Sequence, residues 1–440
     1  TPFLSSRRTF AICVPTQAAN WHKTCCVEPE LLEIGAEKFE EDNMDGMSAD
    51  HIFNDLFVLE MANNHWGDLD RGKQIVRTYA KIAREYNIKA AIKMQFRDVD
   101  NFVHPAYKGD EERYIKKTEI TRLSFSEFQE LTKLISLEGC IPMATPFDEN
   151  SVAWCESLNY PIIKIASSDI NDWNLLRRVA KAKRPVIIST GGASEKQIDA
   201  AVSFFDQNHL PLAINHCISL YPSEDSQLEL SQIDFLKSRY PNNVIGLSTH
   251  EYNDWSSSML MSYAKGARTW ERHIDIDDGL YKVSPYCSLP HQIEDWFKAF
   301  YKAKEMNGLS PSTRRKISHK EKNYLENLVR GTYAKLKISK GTVITRENYD
   351  QYFFQAIPLQ KAQFSGRENI IGGIISKTLE PGDGLFVDGI SNLDALRDID
   401  PFIILNRGRD GERDTAMKKN DQSTKDKQQV YMSKLHLRMV

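Results

Sequence analysis

The sequence predicts an α/β fold in which a closed (β/α)8 barrel, a TIM barrel, is followed by a small β-rich domain. From residue 56 to residue 306, apolar runs of strand length alternate with amphipathic helical segments. The runs are continuously apolar, which is typical of parallel strands that are covered on both faces. Strands that alternate with helices over ~250 residues favour a barrel over a doubly wound sheet. No GxGxxG motif opens a helix after the first strand, which argues against a dinucleotide-binding fold.

The individual elements follow one another in a regular order. The run LFVLEMA (56–62) is a predicted strand, and RGKQIVRTYAKIAREY (71–86) is a predicted helix. The run AAIKMQF (90–96) is the next strand, and the helix at 124–139 has Ser124 or Ser126 as its N-cap. Later apolar runs lie at 141–147, 162–168, 185–191, 212–219 and 244–250, and the run TWERHI (269–274) stands in the last cycle. We count seven strands between residues 56 and 274, and we expect an eighth before residue 56 or between residues 90 and 125.

The pattern changes after about residue 325, where short β-like pieces are separated by Gly and Pro turns. The run GLSPSTRRKISHKEKN (308–323) is typical of a linker, and the polar run 407–429 is typical of a disordered tail. The predicted domains are an N-terminal extension (1–50), the barrel (51–307), a linker (308–325), the β-rich domain (326–392) and a C-terminal tail (393–440). Residues 1–27 contain no Asp or Glu. The extension can therefore be the remnant of an organelle-targeting segment or an ordinary variable segment.

Composition excludes several classes of partner. Lys and Arg number 57 against 60 Asp and Glu, a net charge of -3, so neither nucleic acid nor a membrane surface is expected as a partner. No apolar run approaches the ~20 residues that cross a bilayer. The seven Cys are odd in number and show no repeated CxxC spacing. They predict a reducing compartment, the cytoplasm, rather than a disulfide framework.

Polar residues stand where the apolar segments end, and in a parallel barrel these ends converge on the face that carries active sites. One group consists of cations and hydroxyls, which suit a cradle for phosphate and carboxylate groups. Its members are Lys93, Thr145, Lys164, Ser167, Ser189 and Ser248. The other group has two imidazoles, His250 and His273, with the carboxylates Glu60, Asp169 and Glu271 available nearby. Two His with oxygen donors suit a divalent ion such as Mn, Fe or Zn.

Eight collinear blocks between about residues 55 and 300 resemble the N-acetylneuraminate (sialic acid) synthase family. The blocks are LEMANNHWGD (59–68), IKMQF (92–96), ATPFDENSV (144–152), IIKIASSD (162–169), PVIISTGGAS (185–194), NHCISLYP (215–222), IGLSTH (245–250) and WERHI (270–274). The C-terminal runs LKISKGTVITRENYD and IGGIISKTLEPGDGL resemble the antifreeze-like (SAF) domain that follows the barrel in these synthases.

The resemblance implies a function and a set of roles. It implies a synthase that condenses phosphoenolpyruvate with an aldose, usually an N-acylmannosamine, to give a nonulosonic (sialic-type) acid and phosphate. It also implies that the cation and hydroxyl group holds phosphoenolpyruvate, and that His250 and His273 bind a divalent metal, commonly Mn²⁺. Glu60, Asp169 and Glu271 are then the catalytic candidates, and Tyr221 faces the sugar. The implied assembly is a domain-swapped homodimer.

The departures from the family pattern fall on the sugar side. Ser284 stands about where the family has an Asp that contacts the sugar, and Ser219 replaces an Asn. The Arg that the SAF domain normally offers is absent or moved to Arg367. Two alternatives therefore stay open. One is a related phosphoenolpyruvate-dependent synthase that acts on a different sugar or on a sugar phosphate, and the other is a catalytically idle sugar-binding homologue.

Overall fold

The computed structural model describes residues 49–308, 314–326, 328–367 and 370–392. The chain divides into two compact units, Thr1–Leu309 and Ser310–Val440. The predicted tail at 393–440, and all but the last two residues of the predicted N-terminal extension, lie outside the described residues.

The first unit is a closed barrel of eight parallel strands, so the predicted TIM barrel is confirmed. Each strand pairs with the next along the chain, and the first pairs with the last, with Glu60 opposite both Lys93 and His273. The strands are β1 (Leu56–Ala62), β2 (Ala90–Phe96), β3 (Ile141–Pro146), β4 (Ile162–Ile165), β5 (Val186–Ser189), β6 (Leu212–Cys217), β7 (Val244–Ser248) and β8 (Thr269–His273).

Helices connect the strands and cover the outside of the barrel. They are α1 (Ala49–Phe53), α2 (Leu69–Glu85), α3 (Val99–Phe102), α4 (Arg113–Ile120), α5 (Phe125–Leu137), α6 (Glu149–Ser157), α7 (Trp173–Lys181), α8 (Glu195–Gln207), α9 (Ser231–Arg239), α10 (Trp255–Lys265) and α11 (Pro290–Asn307). Ser124 is the N-cap of α5, as predicted, and forms a capping box with Glu127.

The count of seven strands from the sequence is wrong, because all eight lie between Leu56 and His273. Neither place expected for the eighth strand holds one. The segment before β1 forms the short helix α1, and the connection between β2 and α5 contains α3 and α4. The run TWERHI (269–274) contains β8, and three of the five residues of that strand are Glu271, Arg272 and His273, so it lacks the apolar character of the other strands.

Alternation along the strands separates an apolar lower interior from a polar upper interior. In β1, Leu56 and Val58 belong to a buried apolar cluster inside the barrel, and Glu60 follows on the same face. In β4, Ile162 belongs to the same cluster and Lys164 follows it. The cluster comprises Ile52, Phe53, Leu56, Val58, Ala91, Ile141, Met143, Ile162, Ile187, Ala213 and Val244. Strands β1 to β7 thus contribute to the apolar base, whereas β8 places the polar Thr269 there, bonded to Asn215 Oδ1 at 2.5 Å.

The second unit is small and built from short elements around its own core. Strand β9 (Gly331–Ala334) pairs antiparallel with β10 (Phe353–Ala356), and β11 (Ile374–Ile375) pairs antiparallel with β12 (Ile390–Ser391). Its helices are α12 (His319–Glu326) and α13 (Arg346–Tyr352). The core comprises Ala334, Ile338, Ile344, Tyr349, Phe353, Phe364, Ile370, Ile375, Leu379, Leu385 and Ile390.

Replacing Phe57 with alanine is expected to destabilise the barrel by about 3–5 kcal/mol, because the cavity that remains cannot close completely. The ring is fully buried and packs against Trp270, Trp296 and Phe300 at centroid distances of 5.1, 4.8 and 5.0 Å. Thermal unfolding followed by circular dichroism measures the change as a lower midpoint. Phe125→Ala is the control, since that ring is 37% exposed. Equal shifts in the two variants would contradict the packing argument.

Candidate active site

A cavity of about 780 Å³ lies at the carboxyl ends of the barrel strands. Eleven of the twelve predicted site residues line it. They are Glu60, Lys93, Thr145, Lys164, Ser167, Ser189, Tyr221, Ser248, His250, Glu271 and His273. The structure therefore brings the strand-end residues to one site.

The floor of the cavity is a buried ionic cluster centred on Lys93. Its ammonium contacts the Glu60 carboxylate, lies 3.5 Å from Glu271 Oε1 and donates a hydrogen bond to Thr145 Oγ1 at 3.0 Å. Burial lowers the pKa of Lys93 to about 8, although the charge of Glu271 raises it. Burial also opposes ionisation of Glu271, but the charges of Lys164 and Lys93 hold its pKa below the usual value. The cluster thus contains a lysine that can lose its proton in mildly basic solution.

A β-bulge at the end of β1 holds Glu60 in place. The pairing register between β1 and β2 shifts between Glu60 and Ala62, and Ala62 has a φ of 49°, in the left-handed region. The Ala62 N–H donates to Glu60 Oε1 at 2.6 Å, while Oε2 contacts Lys93. Both carboxylate oxygens are therefore engaged, and the side chain is held in one orientation.

The β4–β5 side of the cavity offers cations, hydroxyls and close backbone. Lys164 is buried, and its ammonium donates to the Ile165 carbonyl at 3.0 Å. Ser167 Oγ accepts from the Gly191 N–H at 3.1 Å. Ser189 Oγ is buried and has no hydrogen-bond partner among the described residues. A polar ligand can satisfy this hydroxyl, so this side fits an anion with several oxygens.

Two neutral imidazoles line the β7–β8 side. His250 Nδ1 lies 2.8 Å from the Ile218 carbonyl, which can only accept, so Nδ1 carries the proton and Nε2 keeps a lone pair. Burial lowers the pKa of His250 to about 4 and that of His273 well below its ordinary value. The ring centroids are 5.5 Å apart, and His273 Nδ1 is buried without a partner among the described residues.

These features fit a divalent metal ion. Metal-binding imidazoles are neutral and usually donate their other N–H to a carbonyl or carboxylate, as His250 does to Ile218. No cluster of three or more His, Cys, Asp or Glu side chains suited to a metal is found in the described parts of the chain. His250 and His273 would thus be the protein's own ligands, and the remaining positions would belong to water or substrate.

Two tyrosines border the histidines. The Tyr221 ring centroid lies 3.9 Å from that of His250 and 6.0 Å from that of His273. Tyr286, which the sequence did not single out, lies 5.2 Å from His273 and 5.3 Å from Tyr221. Tyr221 is 52% exposed, so this aromatic group borders the side of the cavity nearest to solvent.

Asp169 is the one predicted site residue that does not line the cavity. It ends the short 3-10 turn Ser167–Asp169, so the two-residue alternation of β4 no longer applies to it. Burial raises its pKa to about 6, and Oδ2 has no partner among the described residues. Asp169 therefore lies at the edge of the site: Ser168 and Ile170 on either side of it line the cavity, and the charges of Arg97 and Lys164 act on its carboxylate.

Further polar residues line the cavity and were not predicted from the sequence. Gln95 is two residues after Lys93 on the same face of β2, and Arg97 directly follows that strand, so the alternation could have indicated both. Arg113 and Lys117 also line the cavity but lie on α4, in the long connection after β2. No strand-end signal points to them.

A buried network fixes the segment that follows β7 to the segment that follows β8. Arg272 donates to Glu251 Oε1 at 2.6 Å and to the Glu251 carbonyl at 2.7 Å. It also donates through Nε to Ser288 Oγ at 3.0 Å, and the Trp255 indole donates to the same hydroxyl at 2.9 Å. Ser258 donates to the Glu251 carboxylate as well. Arg272 and Glu251 are each 1% exposed. Each charge is therefore stabilised by its ion-pair partner instead of by water.

This network lies directly behind the two histidines. Glu251 follows His250, and Arg272 precedes His273 in the chain. The Ser288 N–H donates to the His273 carbonyl at 2.7 Å. The ion pair therefore joins the backbone segments that carry the two imidazoles.

The fold and the cavity define the class: a (β/α)8-barrel protein with an enzyme-type site at the carboxyl ends of its strands. Residues 81–310, more than half of the 440 residues, match the model of the NeuB family. The chain belongs to the NeuB family.

Relatives agree with this membership over most of their lengths. The pseudaminic acid synthase of Campylobacter jejuni is 26% identical over 75% of this chain and 95% of that protein. The human N-acetylneuraminate-9-phosphate synthase is 26% identical over 66% of this chain and 81% of that protein. A solved structure from Chromobacterium violaceum, described as a spore coat polysaccharide biosynthesis protein E, is 31% identical with a TM-score of 0.71. It covers 76% of this chain and 99% of that one.

Among the described residues, no helix combines the length and the apolar character that a membrane span requires.

Glu251→Leu is expected to destabilise the protein by about 3–5 kcal/mol, because it leaves Arg272 buried without a counter-charge. The double variant Glu251→Leu/Arg272→Met should recover most of that loss, since both charges are removed together. Urea unfolding followed by fluorescence measures both. Lys302→Ala breaks an exposed pair with Glu305 and should change stability by less than about 1 kcal/mol. A double variant no more stable than Glu251→Leu would refute the charge argument.

Proposed function

We propose that this chain is a synthase that condenses phosphoenolpyruvate with an N-acylmannosamine-type aldose to give a nonulosonic (sialic-type) acid and phosphate. The observation that carries the proposal is the pairing of two features in one cavity. A cradle of cations and hydroxyls on the β4–β5 side faces two neutral imidazoles on the β7–β8 side. Relatives named as sialic-type acid synthases support the same reaction class.

Phosphoenolpyruvate fits the cradle because its phosphate and carboxylate need several fixed donors. Lys164, Ser167 and Ser189 would hold one anionic group, with Lys93, Thr145 and Ser248 at the floor next to them. Ser189 Oγ, which has no partner in the described part of the protein, would donate to a substrate oxygen. These donors would fix the reacting carbon relative to the aldose and exclude competing hydrolysis.

His250 and His273 would hold a divalent metal, which we propose to be Mn²⁺. When bound, such an ion supplies Lewis acidity to an aldehyde oxygen. The protein's contribution is to keep both imidazoles neutral through burial and to fix the His250 tautomer through the Ile218 carbonyl. Tyr221, packed against His250, would contact the sugar.

The bond changes then balance without a further reactant besides water. The C3 carbon of phosphoenolpyruvate attacks the aldehyde carbon, which forms the C–C bond and leaves positive charge at C2. Water adds at C2 and loses one proton, which the alkoxide left from the aldehyde takes up. The C–O bond to phosphate then breaks, the remaining hydroxyl proton leaves with the phosphate, and the 2-keto acid forms. We assign Glu60 the orientation of this water, since its carboxylate is held between Lys93 and the Ala62 N–H. Glu271 Oε2 is buried without a partner among the described residues. It can accept a proton, or a hydrogen bond from a substrate hydroxyl.

Assembly and location follow as proposals of the same kind. We propose that the second unit is an SAF domain and that the protein is a domain-swapped homodimer. The β-rich core of that unit supports the first assignment. Cys140, Cys155, Cys217 and Cys287 are free thiols, which supports a reducing compartment such as the cytoplasm.

His250→Ala is expected to abolish phosphate release from phosphoenolpyruvate and an N-acylmannosamine, and to abolish Mn²⁺ binding measured by electron paramagnetic resonance. The physical reason is that a single remaining imidazole, His273, cannot hold the ion tightly. EDTA should stop the wild-type reaction, and added Mn²⁺ should restore it. His291→Ala, an exposed position on α11, is the control and should behave as wild type.

The same assay separates the alternatives. Phosphate release without any aldose, or none with any aldose plus Mn²⁺, would refute a synthase. Full turnover by His250→Ala would refute the metal assignment while leaving the reaction class intact.

The catalytic efficiency, kcat/KM, for phosphoenolpyruvate should fall as the pH rises above about 8. Lys93 binds the anionic substrate only as an ammonium, and burial lowers its pKa to about 8. The charged form is complete well below that pH, so efficiency should be constant there and fall about tenfold per pH unit above it. In the variant Lys93→Arg the side chain stays charged over this pH range, so kcat/KM should not fall above about pH 8. A fall at the same pH in the variant would show that another group is responsible.

A further inference from the structure

The two histidines of the cavity are held in different ways. The His250 ring is fixed by a hydrogen bond, since its Nδ1 lies 2.8 Å from the Ile218 carbonyl. His273 has no such bond, because its Nδ1 is buried without a partner among the described residues. An imidazole that binds a metal is usually oriented by a hydrogen bond from its second nitrogen. His273 therefore needs another support.

Tyr286 is the side chain that packs on His273. The two ring centroids are 5.2 Å apart and the ring planes meet at 84°, which is an edge-to-face contact. Tyr221 lies farther from His273, at 6.0 Å, and is more exposed than the half-buried Tyr286. Burial raises the pKa of Tyr286, although an interaction with the Ser284 side chain opposes this shift. Tyr286 is therefore a neutral phenol at neutral pH and acts on His273 through its ring.

The loop that carries Tyr286 connects β8 to α11 and is closed at its base. The Ser288 N–H donates to the His273 carbonyl at 2.7 Å, and the Asp275 N–H donates to the Ser288 carbonyl at 3.2 Å. The Tyr79 hydroxyl, on α2, lies 2.5 Å from the Asp275 carbonyl and 2.7 Å from the Ser288 carbonyl. The loop therefore leaves the barrel and returns to it beside His273.

Arg71, on α2, anchors the same loop through its buried guanidinium. Nη2 donates to Asp275 Oδ1 at 2.7 Å and to the Ile276 carbonyl at 3.1 Å, and Nη1 contacts the Asp278 carboxylate. Nε donates to the Asn64 carbonyl, in the segment after β1, at 2.8 Å. Hydrogen bonds between charged groups away from water are strong. The guanidinium thus joins the loop after β8 to the segment after β1.

A ring contact secures the middle of the loop. The Tyr281 ring stacks on Trp66, with the centroids 4.9 Å apart and the planes at 4°. Arg71 lies over the same Tyr281 ring, 5.1 Å from its centroid. With anchors at its base and at its middle, the loop has little freedom to carry Tyr286 away from His273.

We propose that Tyr286 is a positioning residue that orients the His273 imidazole for a divalent metal ion by edge-to-face packing, and that Arg71 holds Tyr286 there by anchoring the loop. The Tyr286 ring does for His273 what the Ile218 carbonyl does for His250. The inference rests on the proposed function, since that function assigns His273 to the metal. It adds that the two imidazoles depend on different supports, a hydrogen bond for one and an aromatic ring for the other.

The test measures the dissociation constant for Mn²⁺ of the full-length protein, first freed of metal with EDTA, from the electron paramagnetic resonance signal of free Mn²⁺. Tyr286→Ala should weaken binding about tenfold or more, because the loss of a residue that orients a metal ligand typically has an effect of that size. Tyr286→Phe keeps the ring and should bind Mn²⁺ as tightly as wild type. Tyr301→Ala, on α11 with its ring 40% exposed, is the control for loss of a tyrosine ring and should also bind as wild type.

Arg71→Lys tests the anchor. Lysine keeps the charge but lacks the planar fork that bridges Asp275, Asp278 and the Asn64 carbonyl, so this variant should also weaken Mn²⁺ binding. If Arg71 acts through Tyr286, the double variant Arg71→Lys/Tyr286→Ala should bind Mn²⁺ no more weakly than Tyr286→Ala alone. Thermal unfolding followed by circular dichroism shows whether each variant is folded at the temperature of the measurement.

The outcomes separate this inference from the proposed function. Binding as tight as wild type by Tyr286→Ala overturns the inference and leaves the metal assignment standing. Equal losses in Tyr286→Ala and Tyr286→Phe also overturn it, because the hydroxyl and not the ring would then be responsible. Additive losses in the double variant would show that Arg71 does not act through Tyr286. No Mn²⁺ binding by the wild-type protein refutes the metal assignment itself, and this inference falls with it.

Discussion

The buried ammonium of Lys93, held between Glu60 and Glu271, is the interaction on which the site depends. Three ionised groups inside a barrel are costly unless they neutralise one another. The closed sheet places Lys93 opposite Glu60 across β1 and β2, and Glu271 reaches the same ammonium from β8. The rest of the upper interior is arranged around this cluster: Thr145 accepts from Lys93, and Ser248 donates to Glu271.

Burial, which is unfavourable for the charged groups, keeps the two imidazoles neutral. Loss of water lowers the pKa of His250 and His273, so both stay neutral and keep lone pairs for a ligand. Their placement depends on a second buried ion pair, Arg272 with Glu251, on the outer side of the same strand ends. The ends of β7 and β8 thus carry two separate groups of polar residues, one that lines the cavity and one, Arg272 with Glu251, that joins the segments following these strands.

Much of this arrangement could be predicted from sequence, because a strand repeats every two residues. Once Lys93 and Lys164 are placed on strands, their convergence follows from the barrel alone. The prediction is weaker where that period is lost. An eighth strand was expected before residue 56 or between residues 90 and 125, where the structure has helices. Asp169 lies in a turn beyond β4, where strand alternation no longer gives the direction of its side chain. Lys117 lies on a helix whose position depends on tertiary contacts such as Asn63 with Thr121.

The ionic floor of the cavity and the positions that depart from the family pattern lie on different parts of the chain. Residues on strands hold the ionic cluster, and each is fixed by its neighbours on both sides of the sheet. The residues that depart from the family pattern lie in connections: Ser219 follows β6 and packs so close to Gly191 that a Cβ there would meet its Oγ at 2.2 Å. Ser284 is not part of the cavity lining, whereas Tyr286 is. Because connections can change without disturbing strand pairing, residues around the mouth of the cavity can vary while the ionic floor is kept.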